Sequence, residues 1–260
     1  MDEAFLRHYS LGVERDRLIA GGDHLELVRT FELLAELLPS PPARLLDVGG
    51  GPGVYAARLA RAGYDVELVD VVPLHVEQAR EDAAAQPDAP FKAAVADARD
   101  LAGFGDQSFD AVLLLGPLYH LTERADRVRA LAEARRVVRT GGVVAAAAIS
   151  RYASLLDGTV HGFLDDPRFA AIVERDLSGG QHRNPENVEG WFTTAYFHLP
   201  GELCAEIEDA GLSVERLAGV EGPGGWLDLW PEQRERVLRT ARLAENVPAM
   251  SAHMLCVARR

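Results

Sequence analysis

Nine residues, LLDVGGGPG from Leu45 to Gly53, carry the densest chemical information in the chain. Glycines just past a strand let the backbone turn tightly and bring N–H groups close to a ligand at the start of the next helix. Gly51, Gly53 and Ala56 satisfy G-x-G-x-x-A, so a nicotinamide or flavin ligand fits this stretch taken alone. Asp47 weighs against that reading. With Gly49, Gly51 and Gly53 it forms D-x-G-x-G-x-G, which puts a carboxylate in the turn, where a pyrophosphate would be repelled. A cationic or zwitterionic ligand suits the turn better. Asp70 closes an apolar run about twenty residues after the glycines, where a carboxylate accepts hydrogen bonds from both ribose hydroxyls. Asp97, between Ala96 and Ala98 after the following strand, can accept from an adenine amino group.

These carboxylates need a scaffold that brings strand ends to one edge. Asp23 to Leu38 reads as an amphipathic helix, with Leu27, Phe31, Leu34 and Leu38 at three- and four-residue steps and a capping-box-like start at Asp23 and Glu26. Pro39, Pro41 and Pro42 stop it, and Ala43 to Val48 is a buried strand entering the glycine turn. Helices are expected over Val54–Ala62, Leu74–Ala85 and Thr122–Arg139, and strands over Asp65–Asp70, Phe91–Val95, Phe109–Leu115 and, after Gly141 and Gly142, Val143–Ile149. The alternation predicts an α/β fold with a doubly wound, mainly parallel sheet buried on both faces. Between Ser150 and Pro200 the period is lost, and an irregular loop of that length is improbable in a compact domain, so an inserted cap with short helices is expected. The core pattern resumes with a helix over Gly201–Ala210, a strand over Leu212–Leu217, a helix around Gln233–Leu243 and a last strand over Ala252–Ala258.

Composition limits the partners. The 260 residues are 48% apolar and carry 27 Lys plus Arg against 40 Asp plus Glu, a net charge of −13 with histidine neutral. That mean field disfavours nucleic acid as the main partner. Cys204 and Cys256 match neither a disulfide framework nor a zinc spacing, and read as reduced thiols of a cytoplasmic protein. MDEAFLRHYS lacks the basic start of an export signal, and no apolar run approaches the ~20 residues that span a bilayer.

In this order the motifs resemble the class I S-adenosylmethionine-dependent methyltransferases. DVGGGPG, VELVD, ADARD, FDAVLLLGPLYHL and the RRVVRTGG turn carry the resemblance over Arg44 to Ile149. It implies a Rossmann-like sheet of seven strands with the last antiparallel, S-adenosyl-L-methionine as cofactor and S-adenosyl-L-homocysteine as product. Gly49, Gly51 and Gly53 would lie under the methionine and ribose, with Asp47 supporting that loop. Asp70 would hold the ribose hydroxyls, Val71 would pack on adenine, Asp97 and the Ala98 backbone would read its edge, and Leu115 and Gly116 would line the methionine side. The resemblance divides the chain into an N-terminal helical lid (1–42), in which Tyr9 and Arg29 could reach the ligands, a cofactor-binding core (43–149), an acceptor cap (150–200) and a C-terminal completion of the sheet (201–260).

Methyl transfer from a sulfonium is an in-line displacement, so positioning supplies most of the catalysis and a base is optional. Tyr119 and His120 follow the fourth strand at the ligand edge, and His120 is the first candidate to orient or deprotonate an acceptor. His198, just before the helix that re-enters the core, is the second. In the cap, Tyr152, His161, His182, Trp191, Phe192, Tyr196 and His198 form an aromatic and histidine-rich set suited to a flat acceptor, with Tyr119, Tyr152, His161, Trp191 and Tyr196 the candidate contacts. No tight metal-ligand spacing accompanies these histidines, so no metal is expected. The expected reaction is methylation of a small molecule at oxygen or nitrogen. A nicotinamide oxidoreductase and a non-catalytic S-adenosylmethionine-binding protein are the alternatives.

Overall fold

The computed structural model describes residues 24–227 and 229–260. Its order is α1 (Leu25–Leu37), β1 (Arg44–Val48), α2 (Val54–Arg61), β2 (Asp65–Asp70), α3 (Pro73–Ala84), β3 (Lys92–Val95), β4 (Phe109–Leu114), α4 (Pro117–His120), α5 (Arg124–Val137) and β5 (Val138–Ile149). There follow α6 (Ala153–His161), α7 (Pro167–Gly179), a hairpin of β6 (Gln181–His182) and β7 (Ala195–Tyr196), α8 (Pro200–Asp209), β8 (Ser213–Gly219), α9 (Arg234–Ala244) and β9 (His253–Arg259).

Seven strands form one sheet in the order β3-β2-β1-β4-β5-β9-β8. The first five are parallel, and β9 runs antiparallel to both β5 and β8. Successive side chains of a strand point to opposite faces, which is why the central strands are apolar throughout. Leu46, Val112 and Leu114 pack with Leu131 of α5 and Leu203 of α8 on one face. Leu45, Leu113 and Leu68 pack with Leu27 and Leu34 of α1 and Leu59 of α2 on the other.

Two geometric consequences bear on the site. The strand order reverses between β1 and β4, which opens a crevice at their carboxyl ends. Because β9 is antiparallel, its first residue lies at that same edge: His253 is paired with Ile149, the last residue of β5.

The elements differ from the sequence expectation at a few ends. The helix expected over Thr122–Arg139 is shorter, and a separate four-residue helix, α4, precedes it behind Pro117. The strand expected from Val143 starts at Val138, which pairs with Phe109 before a register shift. Gly141 and Gly142 therefore lie inside this strand; Gly141 has φ 74°, and a Cβ on Gly142 would sit 2.6 Å from Val138 Cγ2. Helix α1 begins at Leu25 with His24 as N-cap and no side-chain cap bond, while Asp23, Tyr9 and most of the expected lid lie outside the described residues. Among the described residues no helix is long and apolar enough to cross a membrane.

Candidate active site

A cavity of about 940 Å³ occupies the crevice at the carboxyl ends of β1, β2 and β4. The glycine loop forms its floor. Gly49 and Gly51 have φ of 69° and 57°, which strain any side chain, and the Gly49 N–H donates to Val69 O at 2.7 Å. A Cβ on Gly51 would meet nothing within 4 Å, so this part of the backbone is open to a ligand. Gly53, φ 95°, is the N-cap of α2; it faces Phe91 and is absent from the cavity wall. Its glycine serves the turn.

Asp47 lies in the wall with no exposed surface, and neither carboxylate oxygen has a hydrogen-bond partner among the described residues. Burial, and then the nearby charge of Asp70, push its pKa up to about 7. Asp70 is tethered to the loop: Oδ2 accepts from the Gly51 N–H at 2.9 Å and Oδ1 from the Val72 N–H at 2.8 Å, with His75 Nδ1 3.3 Å from Oδ1. Each oxygen keeps acceptor capacity on the cavity side. Asp97, also in the wall, accepts from the Arg99 side chain and backbone N–H, and those bonds hold its carboxyl below the usual range. Val71, Ala98, Leu115, Gly116, Tyr119 and His120 complete the predicted residues that share this cavity.

A second cavity, of about 990 Å³, lies between β5 and segment 150–200. Phe169, Trp191, Phe192, Phe197 and Trp226 make its wall mainly aromatic, and His182 and His253 add imidazoles. It abuts the first cavity in two places. Phe192 stacks on His120 of the first cavity, with ring centroids 6.1 Å apart and planes 22° from parallel. His253 Nδ1 lies 4.0 Å from Oε2 of Glu26, which also lines the first cavity.

Other predicted residues lie outside both cavities. Tyr152 is exposed, and so is His161, which pairs with Asp157 at 3.0 Å. Tyr196 lies under Arg127, 3.7 Å from guanidinium carbon to ring centre. His198 is wholly buried, its Nε2 3.2 Å from Glu206 Oε2. Glu206 also takes Arg127, whose Nη1 donates to Leu121 O and Thr122 O. Burial lowers the His198 pKa. This histidine sits in a buried ionic network joining α5, α8 and the segment between β7 and α8, and no described cavity reaches it. Arg29 is likewise committed, to Val220 O, Glu32 and Glu245 Oε2.

The structure also gathers residues that no local pattern marks. Glu26, His75 and Tyr55 join the first cavity. Glu26, Glu221 and His253, far apart in the chain, bring one ligand atom each within 4.8 Å of one another, although no metal cluster is expected from sequence spacing. Cys204 and Cys256 are free thiols.

Residues 46–146 match the family model described as a methyltransferase domain. The ubiquinone biosynthesis O-methyltransferase of Xanthomonas axonopodis pv. citri is 29% identical over 75% of this chain and 73% of its own length. Among solved structures, an S-adenosylmethionine-dependent methyltransferase from Mesorhizobium loti has a TM-score of 0.64 at 18% identity, covering 91% of this chain and all of that one. The [4+2]-cyclase SpnF also has a TM-score of 0.64 at 18% identity, covering 98% of this chain and 95% of that one. The methyltransferase-domain match, the methyltransferase relatives and the fold together support a class I S-adenosylmethionine-dependent methyltransferase, with S-adenosylmethionine as its cofactor. The cavity fits that group: an unpaired, wholly buried carboxyl suits a ligand carrying positive charge, and the open backbone at Gly51 admits close approach. The nicotinamide alternative falls with this assignment.

Proposed function

We propose that the chain methylates a hydroxyl oxygen of a small, planar aromatic molecule. The observation that carries this reading is the aromatic cavity abutting the cofactor cavity at His120–Phe192 and at Glu26–His253. Flat aromatic walls favour a ring-shaped acceptor through offset and edge-on contacts. The O-methyltransferase name of the Xanthomonas relative supports oxygen as the acceptor atom.

In this reading Gly49, Gly51, Asp47, Leu115 and Gly116 hold the methionine part of the cofactor, Asp70 the ribose hydroxyls, and Val71, Asp97 and Ala98 the adenine. Bound S-adenosylmethionine supplies an electrophilic methyl group and leaves as S-adenosylhomocysteine. Segment 150–200 acts as the acceptor cap, with Trp191 and Phe192 in contact with the acceptor and Tyr119 and His120 closing the wall between the two sites. The protein contributes alignment, holding the nucleophile about 3 Å from the methyl carbon.

Isothermal titration with S-adenosylhomocysteine, paired with turnover of a catechol series, tests this assignment. Asp70→Ala removes an acceptor of two backbone N–H groups as well as the ribose partner. Its affinity for S-adenosylhomocysteine falls roughly 100-fold, about 2.7 kcal/mol, in line with charge-assisted hydrogen bonds worth ~1.5–3 kcal/mol each. Unchanged affinity overturns the role of Asp70, and tight cofactor-product binding without methylation of any catechol overturns the acceptor class.

A further inference from the structure

We propose that Glu221 and His253 form the dyad that removes the proton from the acceptor hydroxyl, an inference that rests on the hydroxyl acceptor argued above. Glu221 follows β8 and His253 opens β9, so the antiparallel pairing of these strands brings them together at the ligand edge. The Glu221 carboxylate grips His253 twice: Oε2 accepts from its backbone N–H at 3.0 Å, and Oε1 lies 2.5 Å from Nδ1. Glu221 is 5% exposed, so this hold is shielded from water. Fixing Nδ1 as the donor to a carboxylate sets the tautomer in which Nε2 is the basic nitrogen, and stabilises the imidazolium formed when it takes a proton.

The remaining histidines of the two cavities have different surroundings. His182 has Nδ1 2.7 Å from Asp176 Oδ2 and Nε2 3.2 Å from Phe192 O, so both ring nitrogens are occupied by protein partners. His75 sits against Asp70 in the cofactor cavity. His120 stacks on Phe192 and edges Tyr119 as part of the dividing wall. His253 alone among these lines the acceptor cavity and also borders the cofactor cavity, through Glu26. Among the described residues the charged groups facing it are Glu221 from the end of β8 and Glu26 from α1; Asp157, from α6, lines the same cavity.

In the step, the hydroxyl proton passes to His253 Nε2. The acceptor oxygen bonds to the methyl carbon as the carbon–sulfur bond breaks, and that bond's electron pair stays on sulfur. The imidazolium then returns its proton to solvent. A divalent cation held by Glu26, Glu221 and His253 is the competing use of these atoms. In this structure Glu221 Oε1 and His253 Nδ1 are hydrogen-bonded directly to each other.

The test uses 4-nitrocatechol, whose absorbance reports ionisation of its hydroxyl, bound to the full-length enzyme loaded with S-adenosylhomocysteine. The bound probe ionises at lower pH than the free probe in the wild type, and this shift is lost in His253→Ala and reduced in Glu221→Gln. With S-adenosylmethionine, His253→Ala lowers turnover of unsubstituted catechol roughly 100-fold, in the range of a lost general base, and that of 4-nitrocatechol less than about 10-fold, since the latter arrives ionised. Affinity for S-adenosylhomocysteine, measured alongside, stays within about 2-fold and reports an intact fold. Equal losses on both acceptors, or bound-probe titrations identical in wild type and His253→Ala, overturn the dyad while leaving the acceptor class standing. Loss of probe ionisation on chelation, restored by magnesium, overturns it in favour of a metal. Failure of either catechol to bind overturns both readings.

Discussion

Asp47→Asn stabilises the ligand-free protein above pH 7 and weakens its hold on cofactor. A carboxyl with a folded pKa of about 7 against an ordinary value of 3.8 penalises the folded state once both states are ionised. The sign follows from linkage: the folded protein binds the extra proton, so stability falls as pH rises from about 4 to about 7 and levels off above that. At 1.36 kcal/mol per unit the full penalty is on the order of 4 kcal/mol. The amide escapes the charge but stays unsatisfied, so the expected gain is about 2–4 kcal/mol, read as a thermal midpoint several degrees higher at pH 8 and unchanged near pH 4. The same substitution removes the charge that a sulfonium or ammonium would meet, and affinity for S-adenosylhomocysteine falls at least ~10-fold. In the wild type, a cationic ligand favours the ionised carboxyl, so binding near pH 6.5 releases a proton. Isothermal titrations in buffers of different ionisation enthalpy measure that release, and its persistence in Asp47→Asn argues against Asp47 as the source. A variant that is less stable at pH 8 than the wild type refutes the desolvated carboxyl itself.

The second large effect belongs to the ionic network that holds His198. Arg127 and Glu206 are each 1% exposed and joined by three contacts between 2.6 and 3.1 Å. Burial pushes the Glu206 pKa up, but the hydrogen bonds from His198 and Arg127 outweigh it and hold the carboxyl at about 2. Arg127→Ala leaves a carboxylate buried without its main partner and costs about 3–5 kcal/mol in denaturant unfolding. Replacing the pair together, Arg127→Met with Glu206→Leu, costs distinctly less, because neither charge is then stranded. His198→Ala lowers stability but leaves the pH profile of turnover unmoved; a shifted profile restores His198 as a candidate base. The Glu206 contribution is present above its ordinary pKa near 4.5 and drains away as pH falls toward 2, so the network loosens in acid.

Much of this molecule is readable from local pattern. The strand from Asp65 to Asp70 is found with both ends as expected, because an alternating apolar run closed by an acid leaves little freedom in register. The glycine loop is readable for a related reason: Gly49 and Gly51 occupy positive φ, where other residues are strained. The cofactor-side aspartates follow from their position at strand ends. The cap is less legible, since short helices packed around Phe169 and Trp191 carry no long period, and Tyr152 and His161, whose chemical types suit an acceptor pocket, are exposed.

Periodicity, backbone sterics and the position of an acid encode the strand–helix alternation, the glycine turn and the carboxylates at strand ends within a few neighbouring residues. Which histidines meet which cavity depends instead on how distant elements pack. His198 looks available in the chain but is buried against Glu206 and lines neither cavity. His253 looks like an ordinary strand start, yet the antiparallel course of β9 carries it to the ligand edge beside Glu221 and Glu26. Strand direction is a property of the assembled sheet, and no residue near His253 records it.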